Sequence, residues 1–160
     1  MPNVSENSFT LGDLLRSVLQ GKAPKNALSW AAERGHVEIV KQLLKLGAEY
    51  NENRNYPLEL ASRNGHTEIV KMLIDPGAKT SDSGDDEDYS LRMAANNGHT
   101  AIVKLLLESG ADPTANNYFA LKLALHKDHM DIVELILDAI CAKRMAKAQE
   151  RVVVNEKSIP

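Results

Sequence analysis

The chain's 160 residues carry 19 Lys and Arg against 22 Asp and Glu, a formal net charge of −3, and are 43% hydrophobic but only 4% aromatic. That length suits one domain with enough apolar mass to bury, and so small a charge selects no class of partner. No basic stripe interleaved with aromatics marks a nucleic-acid surface, no stretch approaches the ~18 apolar residues of a membrane span, and the lone Cys141 excludes an internal disulfide.

Residues 1 to 8 are largely polar, and residues 1–9 are expected to be flexible; Met1 to Asn7 show no basic region followed by an apolar run, so no secretory signal is expected. From Thr10 the spacing of Leu11, Leu14, Leu15, Val18 and Leu19 predicts an amphipathic helix with all five on one face. Thr10 can cap it with Asp13 three residues on, and Gly21 and Pro24 end it. Residues 10–21 therefore read as a cap over the apolar edge of the next helices.

Beyond the cap, one motif occurs four times. Gly35-His36-Val37-Glu38-Ile39-Val40 returns as Gly65-His66-Thr67-Glu68-Ile69-Val70, as Gly98-His99-Thr100-Ala101-Ile102-Val103, and as Asp128-His129-Met130-Asp131-Ile132-Val133. The histidines are 30, 33 and 30 residues apart, and self-similarity at such a period signals stacked repeats. Each copy opens a helix with apolar residues at i, i+1, i+4 and i+5, as in Ile39, Val40, Leu43 and Leu44, a wide stripe to set against neighbouring repeats. Ahead of each lies a similar short segment: Ala27 to Ala32, Pro57 to Ser62, Ser90 to Ala95 and Ala120 to Leu125. Asp75-Pro76-Gly77 should stop the second long helix firmly. The fourth has Ile140 where a turn glycine belongs, so it should run on to about Gln149, its Lys143, Arg144 and Lys147 suiting the negative end of its dipole.

These motifs, with the turns Gly47-Ala48-Glu49, Gly77-Ala78-Lys79 and Gly110-Ala111-Asp112, closely resemble the ankyrin-repeat family over roughly residues 10 to 140. The family's Thr-Pro-Leu-His is absent: its Thr position holds Asn26, Tyr56, Tyr89 and Phe119, and its His position Ser29, Glu59, Arg92 and Lys122. Two of the three inter-repeat fingers are three residues short, a form similar to repeats common in giant viruses of amoebae and some protists. The resemblance implies an all-α helix-turn-helix solenoid with short finger loops, capped at both ends. Its parts are a flexible 1–9, a cap at 10–21, repeats at about 26–55, 56–88, 89–118 and 119–149, and a tail at 150–160.

Four features invite chemistry. Helices stack ~8–10 Å apart, so equivalent histidines cannot converge on one zinc; the family uses this His to bond backbone at the turn. Cys141 falls on the apolar stripe after Val133 and Leu137, and a buried hydrophobe is expected there rather than a nucleophile. Ser81 to Asp88 carries five acids but lacks the ligand order of a calcium loop. Tyr56, Tyr89 and Phe119 share one repeat position, either as a structural ladder or as a partner-facing row, and the ladder is favoured.

No nucleophile elbow, phosphate loop or metal-protease helix occurs, so neither catalysis nor a cofactor nor a metal is expected. The resemblance implies a non-catalytic protein-binding module using finger tips and the concave face of the first helices. The matching positions are Glu33, Arg34, Arg63, Asn64, Asn96, Asn97, His126 and Lys127 on the helices, and Glu52, Arg54, Asp85, Asp86, Asn116 and Asn117 on the fingers. The expected partner is another protein, not nucleic acid or membrane, met by a monomer in the cytoplasm or the nucleus. The alternatives are a regulatory inhibitor docking on an enzyme such as a kinase, and an idealised scaffold with no dedicated partner.

Overall fold

The computed structural model describes residues 11–21, 26–48, 56–74 and 89–156. The expected flexible start, the Thr10 cap, the Asp75-Pro76-Gly77 stop, the acidic stretch at 81–88 and the finger candidates Glu52, Arg54, Asp85 and Asp86 lie outside these residues. The described residues form helices and no strand: α1 (Leu11–Leu19), α2 (Ala27–Arg34), α3 (Val37–Lys45), α4 (Tyr56–Asn64), α5 (Thr67–Ile74), α6 (Tyr89–Asn96), α7 (Thr100–Glu108), α8 (Ala115–His126) and α9 (Met130–Glu156). Helices α2, α4, α6 and α8 pack one on the next as an inner row; α3, α5, α7 and α9 form the outer row behind them, and α1 rests on α3.

Side-chain size decides which row is which. The outer helices bury Ile39, Val40 and Leu43, then Ile69, Val70 and Leu73, then Ile102, Val103 and Leu106, then Ile132, Val133 and Ile136. Each such burial contributes ~1.5–3 kcal/mol. Because those side chains pack on their own inner helix and on a neighbouring repeat, one helix pair alone cannot bury them and the stack must form as a whole. The inner helices bury Leu28, Leu58, Leu60 and Leu91, but most of the rest of their buried set is small. Ala31 and Ala32, Ala61 and Ser62, and Ala94 and Ala95 are all fully buried, and their size lets inner helices approach closely.

Each repeat joint carries the same device. Gly35, Gly65 and Gly98 adopt φ of 74°, 81° and 75°, and the imidazole of the following repeat lies over each of them. A Cβ at Gly35 would stand 2.6 Å from Cε1 of His66, and at Gly65 and Gly98 it would stand 2.8 Å from Cε1 of His99 and His129. The same rings reach back to the preceding inner helix: Nε2 of His66 bonds the Glu33 carbonyl at 3.0 Å, that of His99 the Arg63 carbonyl at 3.1 Å, and that of His129 the Asn96 carbonyl at 3.3 Å. A carbonyl only accepts, so Nε2 carries the proton and donates. Glycine is thus required twice, for the left-handed backbone and for the space the ring occupies.

The last repeat departs from this pattern. Asp128 stands in the glycine position with φ 58°, and Leu125 stands where Ala32, Ser62 and Ala95 face the next repeat. Among the described residues no imidazole lies over Asp128 and no inner helix covers Leu125, which is 50% exposed. Both substitutions are compatible with a terminal repeat and would obstruct an internal one.

Three expectations require correction. Cys141 is exposed rather than buried. The row it continues begins with the buried Val133 but leaves the core at Leu137. Leu137 is accordingly 46% exposed, whereas its counterparts Leu44, Ile74 and Leu107 pack against the core. In α1, Leu14 is fully buried but Leu15 is exposed and Leu19 is 86% exposed, so the five-residue face is not seated as a unit. The contact of α1 with α3 covers only part of that face. Helix α9 runs to Glu156, beyond the expected end near Gln149, and every residue from Cys141 to Glu150 is exposed. It runs on because the chain offers no glycine or proline stop between Asp128 and Glu156.

Candidate interaction surface

Stacking repeats turns positions four helical steps apart into a grid. Along each inner helix, residues at i, i+3, i+4 and i+7 share one face: Asn26, Ser29, Trp30 and Glu33; Tyr56, Glu59, Leu60 and Arg63; Tyr89, Arg92, Met93 and Asn96; Phe119, Lys122, Leu123 and His126. Read across the repeats, this gives an aromatic row (Tyr56, Tyr89, Phe119), a charged row (Glu59, Arg92, Lys122), a largely apolar row (Trp30, Leu60, Met93, Leu123) and a polar edge (Glu33, Arg63, Asn96, His126).

Two cations on these helices stack on rings. The Arg92 guanidinium carbon sits 5.0 Å from the centroid of Tyr89 and 4.8 Å from that of Phe119, so the side chain is clasped between adjacent repeats. Such contacts contribute ~0.5–2 kcal/mol, more as they are desolvated. The aromatic row therefore acts as a ladder between the third and fourth repeats, with Arg92 as its rung, while Phe119 and Tyr56 still present exposed ring surface. At the other end Arg34 lies 4.7 Å from the Trp30 ring and 3.7 Å from Glu33, and the Trp30 ring lies 5.1 Å from that of His36.

The sequence-derived candidates divide into three groups. Glu33, Arg34, Arg63, His126 and Lys127 are exposed at the carboxyl ends of the inner helices or just beyond. Asn64 and Asn97 sit there too, but their amides are occupied: Asn64 donates to the Leu60 carbonyl at 2.9 Å and the Glu33 carbonyl at 3.2 Å, and Asn97 to the Met93 carbonyl at 2.8 Å. Asn96 is half-buried and lends its carbonyl to His129. Asn116 and Asn117 are exposed with Tyr118 in a run of three left-handed residues, φ 48°, 57° and 61°, that precedes the regular part of α8. Asparagine tolerates that backbone better than most residues.

One polar anchor fixes this last finger against α9. Oδ1 of Asp112 accepts from Thr114 N at 2.8 Å and Thr114 Oγ1 at 2.7 Å, and its Oδ2 meets Lys143 Nζ at 2.6 Å. Partial burial opposes the charge of Asp112, but donation from Lys143 and Thr114 outweighs it and holds the carboxyl below its ordinary range. Arg144 adds a bond from Nη2 to the Tyr118 hydroxyl at 3.3 Å. The basic stretch of α9 therefore faces back toward the finger at Lys143 and Arg144.

Sequence reasoning named Arg92 only as a departure from the family pattern and missed its place between two rings. The available signal was the i, i+3 spacing of Tyr89 and Arg92 with Phe119 one repeat later. The histidines stay apart on successive joints, and among the described residues no group of three His, Cys, Asp or Glu is gathered as a metal site. No helix of the described residues is long and apolar enough to cross a membrane. Compared with known families, the chain matches a model described as ankyrin repeats (3 copies) over residues 5–84 and 79–146. No curated protein matches it.

Proposed function

We infer that this chain, which belongs to the ankyrin-repeat family, is a non-catalytic module that holds another protein on the exposed face of its inner helices. Members of the family generally mediate binding to other proteins. The observation that carries the assignment to this face is the division of labour within the stack. The outer helices spend their apolar stripes on one another, whereas the inner helices keep rings, cations and a polar edge exposed on a preorganised frame. Side chains anchored by stacking, as Arg34 and Arg92 are, lose little freedom on binding, which lowers the ordering cost of association. The finger residues extend the same surface. The asymmetric charges and the terminal substitutions Leu125 and Asp128 favour a dedicated surface over an idealised scaffold.

The test is affinity capture with the intact chain, followed by cross-linking to map the contact, beside the double variant Arg63→Glu with His126→Glu and an outer-helix control, Lys41→Glu. Cross-links to the inner helices, with capture lost in the double variant and kept in the control, are expected. Capture that survives the double variant but fails in the control would move the surface to the outer row and refute the reading.

A further inference from the structure

The inner helices do not share charge evenly. Helices α2 and α4 balance Arg34 and Arg63 with Glu33 and Glu59, whereas α6 and α8 carry Arg92 and Lys122 and no acid; beyond α8, Lys127 is followed by Asp128. Arg92 is the unusual member. Its guanidinium lies over the rings of both Tyr89 and Phe119, and its Nε is buried with no hydrogen-bond partner. A guanidinium held flat by rings presents its edge as a fork, the geometry that matches a carboxylate. Lys122 occupies the same repeat position one helix on and is exposed.

We propose that the α6–α8 face receives an acidic polypeptide segment, one Asp or Glu carboxylate pairing with Arg92 and a neighbour with Lys122, while the exposed surface of Phe119 takes an apolar side chain between them. This rests on the inner-face reading above and adds the chemistry of the partner. A nucleic acid could also use cations beside rings, but the chain's net charge is −3 and five acids lie just ahead of Tyr89. A polyphosphate must meet many cations at once to bind well, and this face offers few, whereas a short acidic segment needs only the two local cations.

The probe is a displayed random-peptide library selected on the intact chain, with selected peptides then titrated by fluorescence anisotropy. Asp and Glu should be enriched, and affinity should fall steeply with salt. Lys122→Glu, an exposed change, should weaken binding about tenfold or more, the scale of one charge-assisted bond. Arg92→Lys, which keeps the charge and loses the planar fork, should weaken it as well, and Lys104→Glu on α7 should leave it unchanged. Peptides without acidic enrichment, acidic peptides that bind Lys122→Glu and Arg92→Lys as tightly as the parent, no retained peptide, or a single-stranded RNA oligonucleotide that binds in preference would each overturn the proposal. Neutral peptides lost on Arg63→Glu with His126→Glu would leave the inner-face function standing while removing its acidic preference.

Discussion

Gly65→Ala separates the two demands made on the joint glycines. The new Cβ would stand 2.8, 3.0 and 3.1 Å from Cε1, Nδ1 and Nε2 of His99, and the residue would keep φ near 81°. The left-handed backbone costs an L residue ~1–2 kcal/mol. Displacing the ring breaks the bond from His99 to the Arg63 carbonyl, a further ~0.5–1.5 kcal/mol, so a loss of about 1.5–3.5 kcal/mol is expected. Gly47→Ala supplies the comparison. Gly47 has φ 76° but no neighbour within 4 Å, so it should lose only the backbone contribution. The assay is urea unfolding followed by helical circular dichroism, run on both variants and on Gly65→Ala in a His99→Ala background. With the ring absent, the cost of Gly65→Ala should fall to that of Gly47→Ala, leaving a coupling of about 0.5–1.5 kcal/mol in the double-mutant cycle. Equal losses for Gly65→Ala and Gly47→Ala, with no coupling to His99, would refute the claim that the ring, and not φ alone, demands glycine.

Asp128→Gly should stabilise the chain by ~1–2 kcal/mol, since no imidazole lies above that position and only the backbone cost remains to be relieved; urea unfolding showing no gain would contradict this. The Cys141 thiol should react with a disulfide reagent in the folded state as readily as in urea, and a strongly protected thiol would restore the buried reading. Because the Asp112 carboxyl is held below its ordinary value, its contribution is complete above about pH 4 and is lost as pH falls through the lower folded-state value. The pair with Lys143 is partly exposed, so Asp112→Asn should remove only ~0.2–1 kcal/mol near neutrality and nothing in strong acid; a deficit unchanged across that range would show that the charge is not what matters.

The sequence alone determined the repeat architecture. Burial in a stack of helix pairs follows from periodic spacing, and Ile39-Val40, Ile69-Val70, Ile102-Val103 and Ile132-Val133 report that spacing directly. The left-handed turn before each outer helix was legible for the same reason, through Gly35, Gly65 and Gly98 and the one Asp128 that breaks the series. Local spacing says which residues share a face but not what the face meets. Cys141 and Leu137 lie on the apolar stripe and are exposed because the stack ends beside them, and Leu15 and Leu19 lie on the cap's apolar face and find no partner in α3. Packing also decided which of the candidate side chains are free to reach outward. Asn64 and Asn97 share sequence positions with Arg34 and Lys127, yet the fold commits their amides to backbone carbonyls. Arg92, thirty residues before Lys122, became the centre of the surface only when stacking brought Phe119 against a guanidinium already lying on Tyr89. Contacts between residues far apart in the chain depend on the distance between helices, and only packing the repeats fixes that distance.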